Sequence, residues 1–326
     1  MARLPFDVRP RLLPLKSPIA MAGILIDSTP LLSDPSALRA RGDRDGALFF
    51  RGLLPPGDLL PVRRDLLGVI DAYGWRAPGD DPLEGACRTD VLSRVPEADM
   101  RTDIGVSAAA YDDVQRLESV HRLPHHPRLI ALFETVFGGE VLVHPRHIVR
   151  LISPHPAVHP TPPHQDYPLI QGSPEFWTCW IPVGDCPRTL GGLQVLRGSH
   201  RLGVLPVRRA LGAGQIAAQT CPGEENDDDW MEIDYRAGDV LVFRSRTIHR
   251  ALPCRIPDRF RLSFDVRYQP ADLPVEEKSL LPHCGLTWDD IYARWESDDL
   301  KWYWRRRDLV PAGWDGDLLQ PARRIC

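Results

Sequence analysis

The sequence predicts a mainly β protein, its strands closing into a sandwich or barrel with helices on the flanks. Three observations carry this. From about residue 140 the chain breaks into short β-branched and aromatic runs punctuated by Pro and Gly: "FWTCWIPV" (176–183), "GGLQVL" (191–196), "GDVLVF" (238–243) and "RLSFDVRY" (261–268). Ahead of that block lie segments with helical signals. Behind it, Trp288, Ile291 and Trp295 return to helical spacing.

Taken in order, residues 1–45 are rich in proline and arginine with little periodicity, and read as an irregular N-terminal arm. "GALFFRGLL" (46–54) reads as a buried strand. "PPGDLLPVRRDLLGVIDAYG" (55–74) reads as a helix opened by proline and an acidic first turn. "HPRLIALFETVFGG" (126–139) sets Leu129, Leu132 and Phe133 on one stripe before a glycine stop. "EVLVHPRHIVRLIS" (140–153) opens the strand block. The division is therefore an arm (1–45), one catalytic domain (46–270) with its β core from about 140, and a helical, Trp-rich extension (271–326) packed on the core. Its tryptophans read as packing rather than a ligand cage. No internal repeat is present.

Composition narrows the function. The 326 residues include 43% hydrophobic residues, enough for one large domain. A net charge of −4 argues against nucleic acid as a main partner. No run approaches the roughly 18 apolar residues of a membrane span, and "SPIAMAGILI" lacks the layout of a secretory signal. The seven cysteines are scattered, without C-x-x-C, and read as reduced thiols, so a cytoplasmic location is expected. Lysine is confined to Lys16, Lys278 and Lys301, and the 33 prolines are about twice the usual share. Both biases fit a GC-rich bacterial genome. Nothing in the sequence reports the oligomeric state.

The chemistry concentrates in "PPHQDYP" (162–168). On an extended segment, residues i and i+2 face the same side, so His164 and Asp166 project together. The flanking prolines exclude a helix. Two histidines, one carboxylate and open positions make the facial site of non-haem iron(II) oxygenases. His249, after the turn and apolar strand of "GDVLVFRSRTI", is the candidate third ligand. In "RLSFDVRY" the polar Arg261, Ser263, Asp265 and Arg267 alternate with Leu262, Phe264, Val266 and Tyr268. An inward-facing Arg261 can hold a dicarboxylate through a two-pronged contact, and Ser263 can share it.

The order H-x-D, distal His, R-x-S resembles the phytanoyl-CoA dioxygenase family of iron(II)/2-oxoglutarate-dependent oxygenases. The resemblance spans roughly 46–270 and is strongest in "PPHQDYP", "WTCWIPVGD", "GGLQVLRGSHRLG", "GDVLVFRSRTIHR" and "RFRLSFDVRYQP". It implies a double-stranded β-helix (jelly-roll, cupin-like) core with iron held by His164, Asp166 and His249. It implies that Arg261, helped by Ser263, binds the distal carboxylate of 2-oxoglutarate. Trp180 matches a position beside that co-substrate, Gln165, the residue often carried inside H-x-D, is expected to contact the co-substrate too, and Arg150 matches a position that reaches co-substrate or substrate. The chain departs from the family at Arg197, where many members carry proline, near Cys254, where many carry asparagine, and at Ala251, where a small polar residue is common.

The implied activity takes Fe(II), 2-oxoglutarate and O2, two open metal positions serving the keto acid and one the oxygen. It hydroxylates a C–H bond of a small molecule, as in secondary metabolism, with release of succinate and CO2. Desaturation, epoxidation and ring formation share the same oxidant. Asp166 argues against halogenation, which needs a small residue there. A different class also fits the shell: a jelly-roll binding protein or metal-independent isomerase. Manganese or zinc in the same triad stays open. Competing motifs fail on context. His155 and His159 sit among prolines with no cysteine near and read as loop residues. "GAGQIA" (212–217) lacks the preceding apolar strand of a dinucleotide site. "GEENDDD" (223–229) reads as a solvated loop. No G-x-S-x-G is present, so a serine hydrolase is not indicated.

Overall fold

The computed structural model describes residues 23–324 other than 80 and 82. Its elements begin with β1 (Gly23–Ile24), α1 (Pro35–Asp45), β2 (Ala47–Phe50), α2 (Pro56–Ala72), α3 (Ala108–Gln115) and α4 (Pro127–Phe137). The strand block follows as β3 (Val141–Val143), β4 (Ile148–Ile152), β5 (Trp177–Pro182), β6 (Leu193–Leu196), β7 (Trp230–Glu232), β8 (Val240–Arg244), β9 (His249–Ala251) and β10 (Arg261–Pro270). The larger sheet runs β2–β8–β5–β10–β3, with β4 also paired to β10, and the smaller runs β1–β7–β6–β9. Facing each other, they form a double-stranded β-helix.

The alternation in β10 decides how the sheets sit. Leu262, Phe264, Val266 and Tyr268 enter an apolar cluster with Leu59 and Leu66 of α2 and Leu132 and Phe133 of α4. Phe133 stacks on Tyr268 with ring centroids 4.0 Å apart. Each such side chain contributes roughly 1.5–3 kcal/mol by leaving water. The other face of β10 carries Arg261, Ser263, Asp265 and Arg267, and all four are buried too. It looks into the space between the sheets, beside Phe49, Trp180, Phe243 and Val195. Burying polar groups there is unfavourable unless something pairs with them.

Over residues 35–45 the expected irregular arm is instead the helix α1. The Asp34 side chain accepts from the Ala37 N–H at 3.0 Å, Pro35 occupies the first turn, and Gly46 ends the helix at φ 75°. Only Leu38 and Gly42 of this helix are buried, so no apolar stripe marks it in the sequence. Residues 1–22 of the arm lie outside the described residues.

Beyond β10, α5 (Trp288–Tyr292) and the turns after it bury Trp288, Ile291, Trp295 and Trp304 against Leu142 of β3. The indole N–H groups of Trp288 and Trp295 donate to the carbonyls of Leu280 and Arg116. These are packing residues. Among the described residues no helix is long and apolar enough to cross a membrane. Cys87, Cys179, Cys186, Cys254 and Cys284 are free thiols, whereas Cys221 is disulfide-bonded and departs from the expectation of seven reduced cysteines.

Candidate metal centre and co-substrate pocket

His164 lies outside the regular strands, yet its backbone exchanges both hydrogen bonds with that of His249, each N–H reaching the other's carbonyl at 3.0 Å. His249 itself is the first residue of β9, held by β6 opposite Val195. This reciprocal bridge places the two rings together, centroids 4.1 Å apart. Local carbonyls fix their orientation: Nδ1 of His164 donates to Pro162 at 2.9 Å and Nδ1 of His249 to Thr247 at 3.1 Å. Each Nε2 is then left with a lone pair aimed at Asp166, whose Oδ1 stands 3.6 Å from one and 3.7 Å from the other.

All three side chains are buried, and one donor atom from each lies within 4.8 Å of the others. Donors about 2.1 Å from a common ion at right angles stand about 3 Å apart. The observed separations need only a small contraction to hold a metal. Burial pushes the Asp166 carboxyl up, but Arg267, His249 and His164 outweigh it and hold it well below the ordinary carboxylate range. Burial, then repulsion from His164, brings His249 down to about 4. The carboxylate is thus ionised and the His249 imidazole neutral at physiological pH, the forms that bind a cation.

Two residues that sequence reasoning did not assign complete this arrangement. The Thr178 hydroxyl donates to Asp166 Oδ2 at 2.5 Å, and Arg267 Nη2 donates to the same oxygen at 3.1 Å. Alternation placed Arg267 on the polar face, but the partner it grips is distant in sequence.

The second half of the site lies further along the same face. Arg261 Nη1 donates to the Gly191 carbonyl at 3.0 Å. Gly191 sits at φ 89°, where a Cβ would come within 2.9 Å of the Leu252 carbonyl, so glycine is required for this approach. Arg261 Nε, Ser263 Oγ and Trp180 Nε1 are buried with no hydrogen-bond partner among the described residues. The Arg261 guanidinium stands 5.9 Å from the Trp180 ring centre. A buried polar group left unpaired costs roughly 1–3 kcal/mol, more if charged. Three of them on adjoining residues suit a carboxylate-bearing ligand. A cavity of about 380 Å3 adjoins Arg261, walled by Ile152, Val158, Leu252 and Ile256 and by prolines.

Gln165 does not join the site. Its amide nitrogen donates to the carbonyls of Gly203 and Arg246, and its oxygen accepts from the Leu205 N–H. As the odd residue between two ligands it points away from them and ties loops together, so its expected contact with the co-substrate is corrected. Arg150 is also engaged elsewhere. Its Nε pairs with Asp265 at 2.5 Å and its Nη1 donates to the Asp103 carbonyl. The expected reach toward co-substrate gives way to an ion pair, because Ser263 of β10 lies directly opposite Arg150 and Asp265 is next on that face.

The remaining motif residues hold the frame. Ser199 donates to the Leu196 carbonyl and accepts from the Ile248 N–H, anchoring the residue before His249. Asp239 accepts from the N–H groups of Gly52 and Arg236, locking the turn into β8. Arg197 pairs with Asp229 at 3.2 Å and Arg324 with Glu224, which ties down both ends of the acidic stretch. His155 is buried with both ring nitrogens on backbone groups and His159 is exposed, as loop residues.

Comparison with known proteins agrees. The phytanoyl-CoA dioxygenase (PhyH) family profile matches residues 42–261. A 1-deoxypentalenic acid 11-beta-hydroxylase of Streptomyces arenae is 30% identical over 259 residues, covering 75% of this chain and 84% of the relative. The protein of the same name from Streptomyces exfoliatus is 30% identical over 261 residues, covering 76% and 85%. Among solved structures, the epimerase SnoN in complex with Fe3+, alpha ketoglutarate and nogalamycin RO superposes with a TM-score of 0.51 at 23% identity, covering 74% of this chain and 86% of that one, a likeness of fold.

Proposed function

The chain belongs to the phytanoyl-CoA dioxygenase family, and on that premise we propose that His164, Asp166 and His249 hold iron(II) while Arg261, Ser263 and Trp180 receive 2-oxoglutarate. It is an iron(II)/2-oxoglutarate-dependent oxygenase. The reaction we assign is hydroxylation of an unactivated C–H bond in a small molecule. When bound, iron and 2-oxoglutarate supply the oxidising power: O2 and 2-oxoglutarate become succinate and CO2, and one oxygen atom enters the substrate.

The residues divide the work. The two Nε2 atoms and Asp166 Oδ1 offer one set of three donors to the ion. Arg261 Nε, Ser263 Oγ and Trp180 Nε1 form a row of donors for the far carboxylate of the co-substrate. The cavity beside Arg261 offers apolar walls at Ile152, Val158, Leu252 and Ile256 to a carbon skeleton. Two relatives act, by name, on 1-deoxypentalenic acid, and an apolar secondary metabolite of that size is the substrate class we assign.

The observation that carries this reading is the row of unpartnered buried donors beside a complete His–Asp–His set. The test is anaerobic addition of Fe(II) and 2-oxoglutarate, with Arg261→Ala alongside. A weak visible charge-transfer band in the parent that fades in the variant supports it. No band from folded parent protein overturns it in favour of a binding protein.

A further inference from the structure

The two donors to Asp166 are directly opposed. Thr178 on β5 and Arg267 on β10 are cross-strand partners in register, so adjacent strands present both side chains to one point. They converge on a single oxygen, Oδ2, at 2.5 and 3.1 Å, while Oδ1 stands 3.6 and 3.7 Å from the two histidine nitrogens. All three residues are buried, and among the described residues Arg267 makes no other ion pair.

From this we propose that Thr178 and Arg267 are positioning residues that force Asp166 to bind metal through one oxygen. The proposal rests on the iron reading above. A free carboxylate can close on a cation with both oxygens and so occupy an extra position. Here the second oxygen is held back, and the positions needed for co-substrate and O2 stay open. Neutralisation of a buried acid explains Arg267 alone. It does not explain an uncharged hydroxyl from the neighbouring strand sharing the same oxygen.

The probe is Co(II), titrated anaerobically into the metal-free full-length chain, with affinity and the d–d absorption spectrum as readouts. Thr178→Val is expected to weaken Co(II) binding about 10- to 100-fold, and Thr178→Ser, which keeps the hydroxyl, to restore it. Arg267→Gln is expected to change the d–d spectrum as Oδ2 becomes free to coordinate. Removal of a positive charge alone would tighten binding of a dication. Tighter binding by Arg267→Gln with the parent's spectrum therefore overturns the assignment of Arg267, and parental affinity in Thr178→Val overturns that of Thr178. Melting temperatures without metal separate these effects from misfolding. A parent that binds no Co(II) sinks the metal reading, and this proposal with it.

Discussion

Two groups of buried histidines occupy this molecule, and only one is built to hold a metal. His164 and His249 lie between the sheets. His121 and His147, with the half-buried His125 beside them, lie in the layer where helices and C-terminal tryptophans cover the larger sheet, the His121 and His147 rings 5.2 Å apart and His121 5.1 Å from Trp295. Burial is similar, and proximity of rings is similar. The difference is what each nitrogen faces. In the outer layer, His121 Nε2 meets the Gln115 carbonyl, while His125 Nε2 and His147 Nδ1 have no hydrogen-bond partner and no carboxylate partner among the described residues. In the site, local carbonyls take Nδ1 and leave both Nε2 atoms on one carboxylate. Among the described residues, His164, Asp166 and His249 are the one cluster of such donors close enough for an ion. Imidazole density does not make a metal centre; a shared anion and a free lone pair do.

Substitutions can break that contrast. His164→Ala is expected to abolish stoichiometric iron binding and turnover, an effect well beyond the roughly 10- to 100-fold of a residue standing behind a ligand. His147→Ala should leave iron affinity unchanged. Isothermal titration of both variants decides it, and loss of metal by His147→Ala would erase the distinction. Next in size, Arg261→Ala should raise KM for 2-oxoglutarate about 10- to 100-fold with iron affinity kept, since it removes a charge-assisted contact and not a ligand. Steady-state kinetics with varied 2-oxoglutarate measures this.

Acid sharpens the same comparison. Burial brings His121 and His144 down from 6.5 to about 4. A group whose folded pKa is depressed contributes its stability in full above the unfolded value and loses it as pH falls toward the folded one. Each ring is therefore expected to withdraw roughly 2 kcal/mol between pH 7 and pH 5. Urea unfolding at the two pH values should show the loss, and His121→Phe should flatten it. The smallest effect is expected from Gln165→Ala. It orphans the Leu205 N–H and two carbonyls, lowering stability by roughly 1–3 kcal/mol while Co(II) affinity stays at the parent's value.

Much of the site is legible in the sequence because its chemistry is encoded locally. The H-x-D spacing brings two ligands together, but not along an extended segment as expected: Asp166 has helical φ −74° and ψ −29° and caps the one-turn helix Tyr167–Ile170, whose first turn accommodates Pro168. Strand alternation puts Arg261 and Ser263 on one face. Legibility stops where the deciding contact is long-range. Alternation says that Arg150 and Arg267 face inward, but not that one is bound to Asp265 and the other to Asp166. Thr178 looks like any strand threonine until β5 is laid beside β10. Gln165 is illegible for the same reason: adjacency to two ligands suggests participation, but its amide is taken by the backbone of Gly203, Leu205 and Arg246, distant in sequence. Helix α1 is hard to read from sequence because its signal is a cap and a terminal glycine, not an apolar stripe.

The backbone bridge between residues 164 and 249 has a kinetic consequence. It joins segments distant in sequence, and both hydrogen bonds must close before the rings meet. Such contacts form late, after the entropy of bringing remote segments together has been met. Before β9 has docked, the chain holds two ligands at most. Metal capture during refolding thus serves as a clock for the final long-range strand pairing, and an ion that binds only the finished pair draws the folding equilibrium toward it.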